Sequence, residues 1–416
     1  MEKETTEILE IEDFLSIRHI NWEFEKFNII TGDMASGKSL CIKLTKFFED
    51  IIPNLFVAPY ENFLAYLNSQ DFFAYLTKEF NLIFVLMAST SKELPPFRIT
   101  YTFTYKKESF SVIVKGKDNT DIVFESPFLE KMLSEWEEFV KKKGIDTPEK
   151  VTPDGFAEVK RFLYNELLKR FGYHFPMASI FVPASRAALA FGSSHNDSHL
   201  KKYKELVDVL PRFVSRNQEI INTILKAKMA FEAGFLYLES DDGRKVPIAK
   251  ASSGQQEIVY VLMLLDKLGN FVYSYGDHLS IFIEEPSAHL FPLEQKQTIE
   301  LIVELFNALK GNGNPVRFFI TTHSPYVLNS LNNCLKKGAL LKKYENQAEK
   351  INNQVDIPHL YSDEISAYFI NNEGGWENMM DENKKYLYAE KIDDISKAIN
   401  EDTIRLKELN NELFSE

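Results

Sequence analysis

The chain has 416 residues, 44% of them hydrophobic, and a formal net charge of −13. That apolar content supports a large core divided among roughly two or three structural units, and no run approaches the length of a membrane helix. The acidic balance argues against wholesale coating of nucleic acid and leaves a local basic surface open. The N-terminus, MEKETTEILEIED, has no signal-peptide core, and Cys41 and Cys334 form no spacing motif. A soluble, cytoplasmic protein without a membrane association is the expectation.

Residues 7–30 read as two strands flanking a turn, followed by the short apolar strand FNII. Next comes G-D-M-A-S-G-K-S from Gly32 to Ser39, a complete G-x-x-x-x-G-K-[ST] phosphate-binding loop. Its flanks suit it, because Leu40, Ile42, Leu44 and Phe47 begin a helix. Glycines let such a backbone curl so that N–H groups of Asp33, Met34, Ala35, Ser36 and Gly37 turn inward toward phosphate oxygens. The helix start at Lys38–Leu40 adds partial positive charge. Lys38 reaches the β- and γ-phosphates, and the Ser39 hydroxyl suits Mg²⁺. ATP and Mg²⁺ are therefore the expected ligands. Cys41 lies early in this helix, where a thiol pKa is open to lowering; an ordinary helix residue is the plainer reading.

The stretch from Asn54 to Leu86 is aromatic-rich and reads as helical, and FRITYTFTYKKESFSVIVKG alternates as a hairpin turning near Lys106 to Ser109. Ser126-Pro127 opens a helix with Leu129, Met132, Leu133, Trp136 and Val140 in line, ended by Gly144. Thr152-Pro153 opens another, ended by Gly172. MASIFVPA, Met177 to Ala184, returns as a buried strand and runs into Ser185-Arg186. Residues 197–233 read as helical, broken at Pro211, and are locally basic through Lys201, Lys202, Lys204, Arg212, Arg216, Lys226 and Lys228. A solvated face and a nucleic-acid surface both fit that charge. His195 and His199 lack the further ligands a metal site needs.

Ala251 to Glu257, A-S-S-G-Q-Q-E, precedes an apolar helix, and Ser-Ser-Gly at a helix start makes a second anion-binding terminus. LSIFIEEPSAHLFP follows as an apolar strand ending in Glu284-Glu285. On a chain with a phosphate loop, two such carboxylates divide the work: one helps hold Mg²⁺ and the other orients and deprotonates water. RFFITTHSPYVL is another apolar strand, ending at His323, whose imidazole suits a hydrogen bond to a γ-phosphate.

The order of these four elements resembles the ATP-binding-cassette (ABC) ATPase superfamily. GDMASGKS looks like its Walker A motif, ASSGQQE its signature, IFIEEP its Walker B with the catalytic glutamate, and ITTHS its switch-histidine loop. The resemblance implies an α/β fold: an ABC-type P-loop core with a helical insertion and a C-terminal helical segment. It gives Glu284 the Walker B acid position and Glu285 that of the general base. It also places Ser252, Ser253, Gly254 and Gln255 against ATP bound by a second subunit, in a homodimer or higher homo-oligomer. Ser287 to Leu290 match the family's dimer-contact loop. Ala251 and Ser253 depart from the usual signature, and the Walker B acid is Glu rather than Asp. Gln70 is the one glutamine between the phosphate loop and mid-chain available for a glutamine loop.

SSGQQE, IEEPSAHLFP and TTHSPYVL, with VPASR and YSDEISAYFINNEG, resemble the overcoming-lysogenization-defect (OLD) group of ATPases. Within it, they are similar to the ATPase component of the two-gene PARIS anti-phage system. That resemblance implies a separate effector nuclease of the Toprim type and a phage-encoded trigger. Fused members of the group carry the nuclease after the ATPase, and the residues after His323 here hold no Asp-x-Asp. The rivals are a DNA-repair ATPase resembling short-armed recombination mediators and an ATP-binding scaffold without turnover. The expected division is 1–125 as the N-terminal part of the core, 126–233 as a mainly helical insertion with a core strand near 177–184, 234–345 as the C-terminal part of the core, and 346–416 as an extension. That extension ends in an amphipathic helix, Glu390 to Phe414, which suits packing on the chain's own core or on a partner.

Overall fold

The computed structural model of this chain describes residues 5–55, 80, 96–106, 108–116, 122–125, 127, 134, 138, 142, 176–191, 218–232, 235–271, 278–311, 316–381, 383, 386–388 and 405. The described part is α/β and is built on two main sheets. Strands β1 (Thr5–Phe14), β2 (Ile17–Glu23), β4 (Phe97–Tyr105), β5 (Glu108–Gly116) and β6 (Ile122–Glu125) form an antiparallel sheet in the order β2-β1-β4-β5-β6. The expected hairpin is present, with Tyr105 opposite Glu108 across its turn. Alternate residues of β1, among them Leu9 and Ile11, face inward, as a sheet with one covered face requires.

The second sheet contains β3 (Phe27–Gly32), β7 (Pro176–Val182), β11 (His278–Glu284), β12 (Val316–Thr321), β13 (Ile365–Ile370) and β14 (Trp376–Asn378). Its order is β14-β13-β3-β12-β11-β7, parallel throughout except for the β14 edge. Strands β3 and β12 are buried at every residue, which is why they are mostly apolar rather than alternating, with Asn28 and Arg317 among the buried polar exceptions. Strand β13 comes from the stretch read as an extension, yet it lies directly beside β3, one strand in from the β14 edge.

Helix α1 (Lys38–Leu55) packs between the two sheets. The Phe48 ring stacks on Tyr101 of β4 at 5.3 Å. Trp22 meets Phe24 and Phe319 edge-on at 4.5 and 5.6 Å and closes the same layer. The other face of the parallel sheet is covered by α2 (Gln218–Leu225), α3 (Ser253–Phe271), α4 (Pro292–Gly311) and α5 (Pro325–Lys343). A short helix, α6 (Ala348–Gln354), follows α5.

The helical reading of 197–233 is corrected at its end. Helix α2 stops at Leu225, because Lys226 takes a left-handed backbone (φ +53°). Residues Lys228–Glu232 are instead strand β8, paired antiparallel with β9 (Phe235–Glu239), which also pairs with β10 (Lys245–Pro247). Buried Ile221, Ile224 and Leu225 are the last residues on the helical apolar face. Beyond them the Met229, Phe231, Phe235 and Tyr237 alternation suits a hairpin. Gln70, His195, His199, the basic residues 201–216 and the expected helices at 126–172 and 390–414 lie outside the described residues, apart from single positions within those helices.

A buried charge cluster joins the layers. Arg317 on β12 donates to Glu7 on β1 and, at 2.8 Å, to Glu49 on α1, and Glu7 also accepts from Tyr101. Burial pushes the Arg317 guanidinium down to about 9 and the Glu49 carboxyl well above its ordinary value. Arg317→Ala strands two buried acids, a loss of about 3–5 kcal/mol. The expected result is a much lower melting temperature, and a variant melting with the parent would contradict a linking role for this cluster.

Candidate functional site

The parallel strands end together at one edge, and each candidate residue follows a strand end. After β3 the chain turns at Gly32 (φ +150°), where a side chain would collide with the carbonyl oxygen of Ile370 at 2.1 Å. That carbonyl accepts from Asp33 N–H at 3.2 Å, so β13 passes directly behind the loop. Ala35 (φ +60°) and Gly37 (φ +108°) complete the curl, and a side chain at Gly37 would press on Ile17. Lys38 folds back so that its ammonium donates to the carbonyls of Gly32 at 2.9 Å and Asp33 at 2.6 Å. Ser36 Oγ is buried and has no hydrogen-bond partner in this structure, while Met34 projects outward, 92% exposed. Ser39 and Leu40 are in the first turn of α1, half-buried. A curled loop with a pinned lysine and an orphaned buried hydroxyl fits a polyphosphate. Cys41 is the plain core residue: it is fully buried, and desolvation pushes its thiol far up rather than down.

Glu284 is the last residue of β11 and is buried. Its Oε2 accepts from Ala184 N–H at 2.9 Å. Its Oε1 makes no hydrogen bond and lies 3.6 Å from Lys43 Nζ, one helical turn past Ser39 on α1. A buried carboxylate oxygen of this kind, facing the first turns of α1 with the Ser39 hydroxyl nearby in sequence, fits Mg²⁺.

Glu285 sits in the left-handed region (φ +45°), an uncommon position for a residue with a side chain. Its N–H donates to Thr321 O at 3.0 Å, holding it against the end of β12. Strand β12 ends at Thr321, two residues before His323, whose side chain is 68% exposed. His323 Nδ1 lies 2.9 Å from Glu285 Oε2. That hydrogen bond raises the imidazole above its ordinary 6.5, against the opposing effects of burial and of Lys38. Burial lowers the Lys38 ammonium, whereas the charges of Glu285 and Asp33 push it up. Lys38, Glu285 and His323 thus share one electrostatic environment.

The 252–255 stretch opens α3. Ser252 and Ser253 are exposed, and Ser252 Oγ caps the first turn through Gln255. Gln255 also donates to Leu225 O at 2.8 Å. Gly254 is required by packing, since a side chain there would fall 2.7 Å from the carbonyl of His289.

VPASR by itself assigns no role to Arg186. Arg186, in the 3₁₀ segment Ala184–Phe191, is fully buried against the carbonyls of Glu284 and Glu285 and against Glu257 of α3. An arginine four residues past an apolar strand was the available signal. Among the described residues no cluster of His, Cys, Asp and Glu suits a further metal, and no helix is long and apolar enough to cross a membrane.

A family model described as an AAA ATPase domain matches residues 187–328. That is less than half of the chain; it spans the 252–255 stretch, the two glutamates and His323, and begins after the phosphate loop. Residues 187–328 are thus similar to an ATPase domain. No curated protein matches the chain. Solved structures similar to it include the SMC head domain from Thermotoga maritima, with 13% identity, 78% of this chain and 91% of that chain covered, and a TM-score of 0.35. An SmcHead bound to the C-winged helix domain of ScpA gives 15% identity, 78% and 91% coverage and a TM-score of 0.37. The recombination mediator protein RecF gives 11%, 91% and 99%, and 0.33. At such scores the α/β assignment rests on this chain's own sheet order.

The His323 titration tests the site without any ligand. Because its pKa is raised, the charged pair with Glu285 is fully present below 6.5 and is lost as pH rises through the higher folded value. Glu285→Gln removes the largest raising influence, so the His323 NMR midpoint is expected to fall toward or below 6.5. An unmoved midpoint would refute the pairing.

Proposed function

We propose that this chain binds and hydrolyses ATP as an ABC-type switch. The observation that carries the reading is the convergence of Lys38, Glu285 and His323 at one sheet edge, with Glu285 and His323 2.9 Å apart. In this reading the loop from Gly32 to Leu40 holds the polyphosphate, and Lys38 releases its two carbonyl partners to reach the outer phosphates. Ser39 and Glu284 would hold Mg²⁺, which would neutralise charge on the phosphate oxygens. Glu285 orients water and takes its proton as the water attacks the γ-phosphorus. In its charged form, favoured by Glu285, His323 donates Nδ1–H to Glu285 and has Nε2–H left to donate to the γ-phosphate. Exposed Ser252 and Ser253, with Gly254 and Gln255, meet ATP held by a second copy in a homodimer or higher homo-oligomer.

The biological role we infer is anti-phage defence. The switch sequesters a separate Toprim-type nuclease and releases it on infection, on a phage-encoded trigger. The motif wordings shared with the OLD and PARIS ATPases support this reading. The domain division at 125, 233 and 345 belongs to the same proposal, with β13 added to the core. The DNA-repair alternative leans on the basic stretch ending at Lys228, and in that stretch Lys226 is paired with Glu294 at 2.6 Å.

Lys38→Ala is expected to abolish ATP binding and phosphate release at an unchanged melting temperature; normal turnover would overturn the phosphate-loop assignment. Glu285→Gln should cut hydrolysis by ~100-fold or more while ATP binding persists. With ATP present, this variant should accumulate as a dimer in light scattering, and a monomer would refute the shared site. For the defence role, full phage protection by this chain without its neighbouring gene would remove the separate effector.

A further inference from the structure

Arg186 is fully buried, and its guanidinium is used to capacity. An arginine has five N–H donors, and here each has a partner. Nε donates to Glu257 O at 3.1 Å, and Nη1 donates to Pro183 O at 3.0 Å and Glu284 O at 2.7 Å. Nη2 donates to Glu285 O at 2.7 Å and to Glu257 Oε2 at 3.3 Å. The carbonyls of Glu284 and Glu285 belong to the peptide planes on either side of the Glu285 Cα. Fixing both planes fixes the Glu285 backbone, which stands in a left-handed conformation that costs energy and persists only when its surroundings impose it. The same guanidinium grips Glu257, in the second turn of α3, two residues beyond Gln255. Glu257 also faces His289 Nε2 at 3.5 Å, and the His289 carbonyl abuts Gly254.

We infer that Arg186 is a positioning residue that sets the direction of the Glu285 carboxylate and, through Glu257, couples it to the 252–255 stretch of its own chain. A contact made at 252–255 by a second copy's nucleotide shifts the first turns of α3. Glu257 passes that shift to Arg186, and Arg186 to the backbone of Glu285. The device makes water activation in one site responsive to occupancy of the other. Lysine cannot substitute, because three donors on a single nitrogen cannot replace five contacts spread over the three nitrogens of a planar fork. The inference rests on the ATPase reading proposed above and adds to it a residue outside the phosphate loop and the strand-end carboxylates.

The test compares Arg186→Met, Arg186→Lys, Glu257→Gln and the Arg186→Met/Glu257→Gln double variant. The readouts are kcat for phosphate release, Kd for a fluorescent ATP analogue, the His323 NMR midpoint and the melting temperature. Misdirection of a reacting group by an ångström costs up to ~100-fold in rate. Arg186→Met and Arg186→Lys are expected to lose kcat on that order, with Kd kept within ~3-fold. The His323 midpoint should fall toward 6.5 as its carboxylate partner turns away. Glu257→Gln should lose less, and the double variant no more than Arg186→Met alone. A folded Arg186→Met with parental kcat and midpoint would overturn the inference, as would kcat and binding falling in parallel, or losses that add in the double variant. Should Arg186→Met fail to fold, Glu257→Gln decides, and parental kcat there refutes the coupling. If the parent chain itself shows no turnover, the ATPase reading falls, and the His323 midpoint still decides the role of Arg186.

Discussion

The parallel register of three strands governs everything at this site. Ile30 of β3 lies beside Thr321 of β12, and Thr321 lies beside Glu284 of β11. Parallel strands in register finish on the same side of a sheet, so whatever follows each strand is delivered to one crevice. Three segments far apart in the chain each need only stop at the right residue. Gly32 and Lys38, Glu284 and Glu285, and His323 then meet without any long side chain having to reach. Buried polar pairs in β3 and β12 protect this register, since a slip would take Asn28 away from Phe318 and Ser366, and Arg317 away from Glu7 and Glu49.

Around that edge, the backbone has been bent where side chains make bending unfavourable. Glu285 and His289 both carry positive φ without being glycine. Such geometry is held from outside, by Thr321 across the sheet and by Arg186 from the segment after β7. The buried Arg317 cluster serves the other side of α1 in the same manner, tying the helix that carries Lys38 to both sheets. Rigidity at the strand ends is thus supplied by buried Arg186, and at the start of β12 by buried Arg317.

The elements legible in the sequence were those with a local signature. The phosphate loop, the hairpin at 97–116, the strands ending at 284 and near 321, and helix α3 each announce themselves by spacing within a few residues. What escaped was set by distant partners. β13 is a short, mixed run whose strand character comes from lying against β3, and nothing in ISAYFI says that it belongs beside the phosphate loop. The hairpin of β8 and β9 was hidden behind the helical periodicity of Ile221, Ile224 and Leu225. Arg186 reads as one charge after a strand until its five partners, from four other residues, are seen together.

The position of β13 also dictates an order of events as the chain is made. β3 leaves the ribosome early, yet both of its neighbours, β12 and β13, come from beyond residue 315. At a synthesis rate of about 5–20 residues per second, the phosphate-loop strand waits for tens of seconds with both backbone edges unpaired by their native partners. Only when Ile370 arrives does Asp33 gain its backbone acceptor behind the loop. The nucleotide site is therefore assembled late and nearly all at once, and a nascent or truncated chain lacking β13 would expose the open edge of β3 to self-association instead of a working loop.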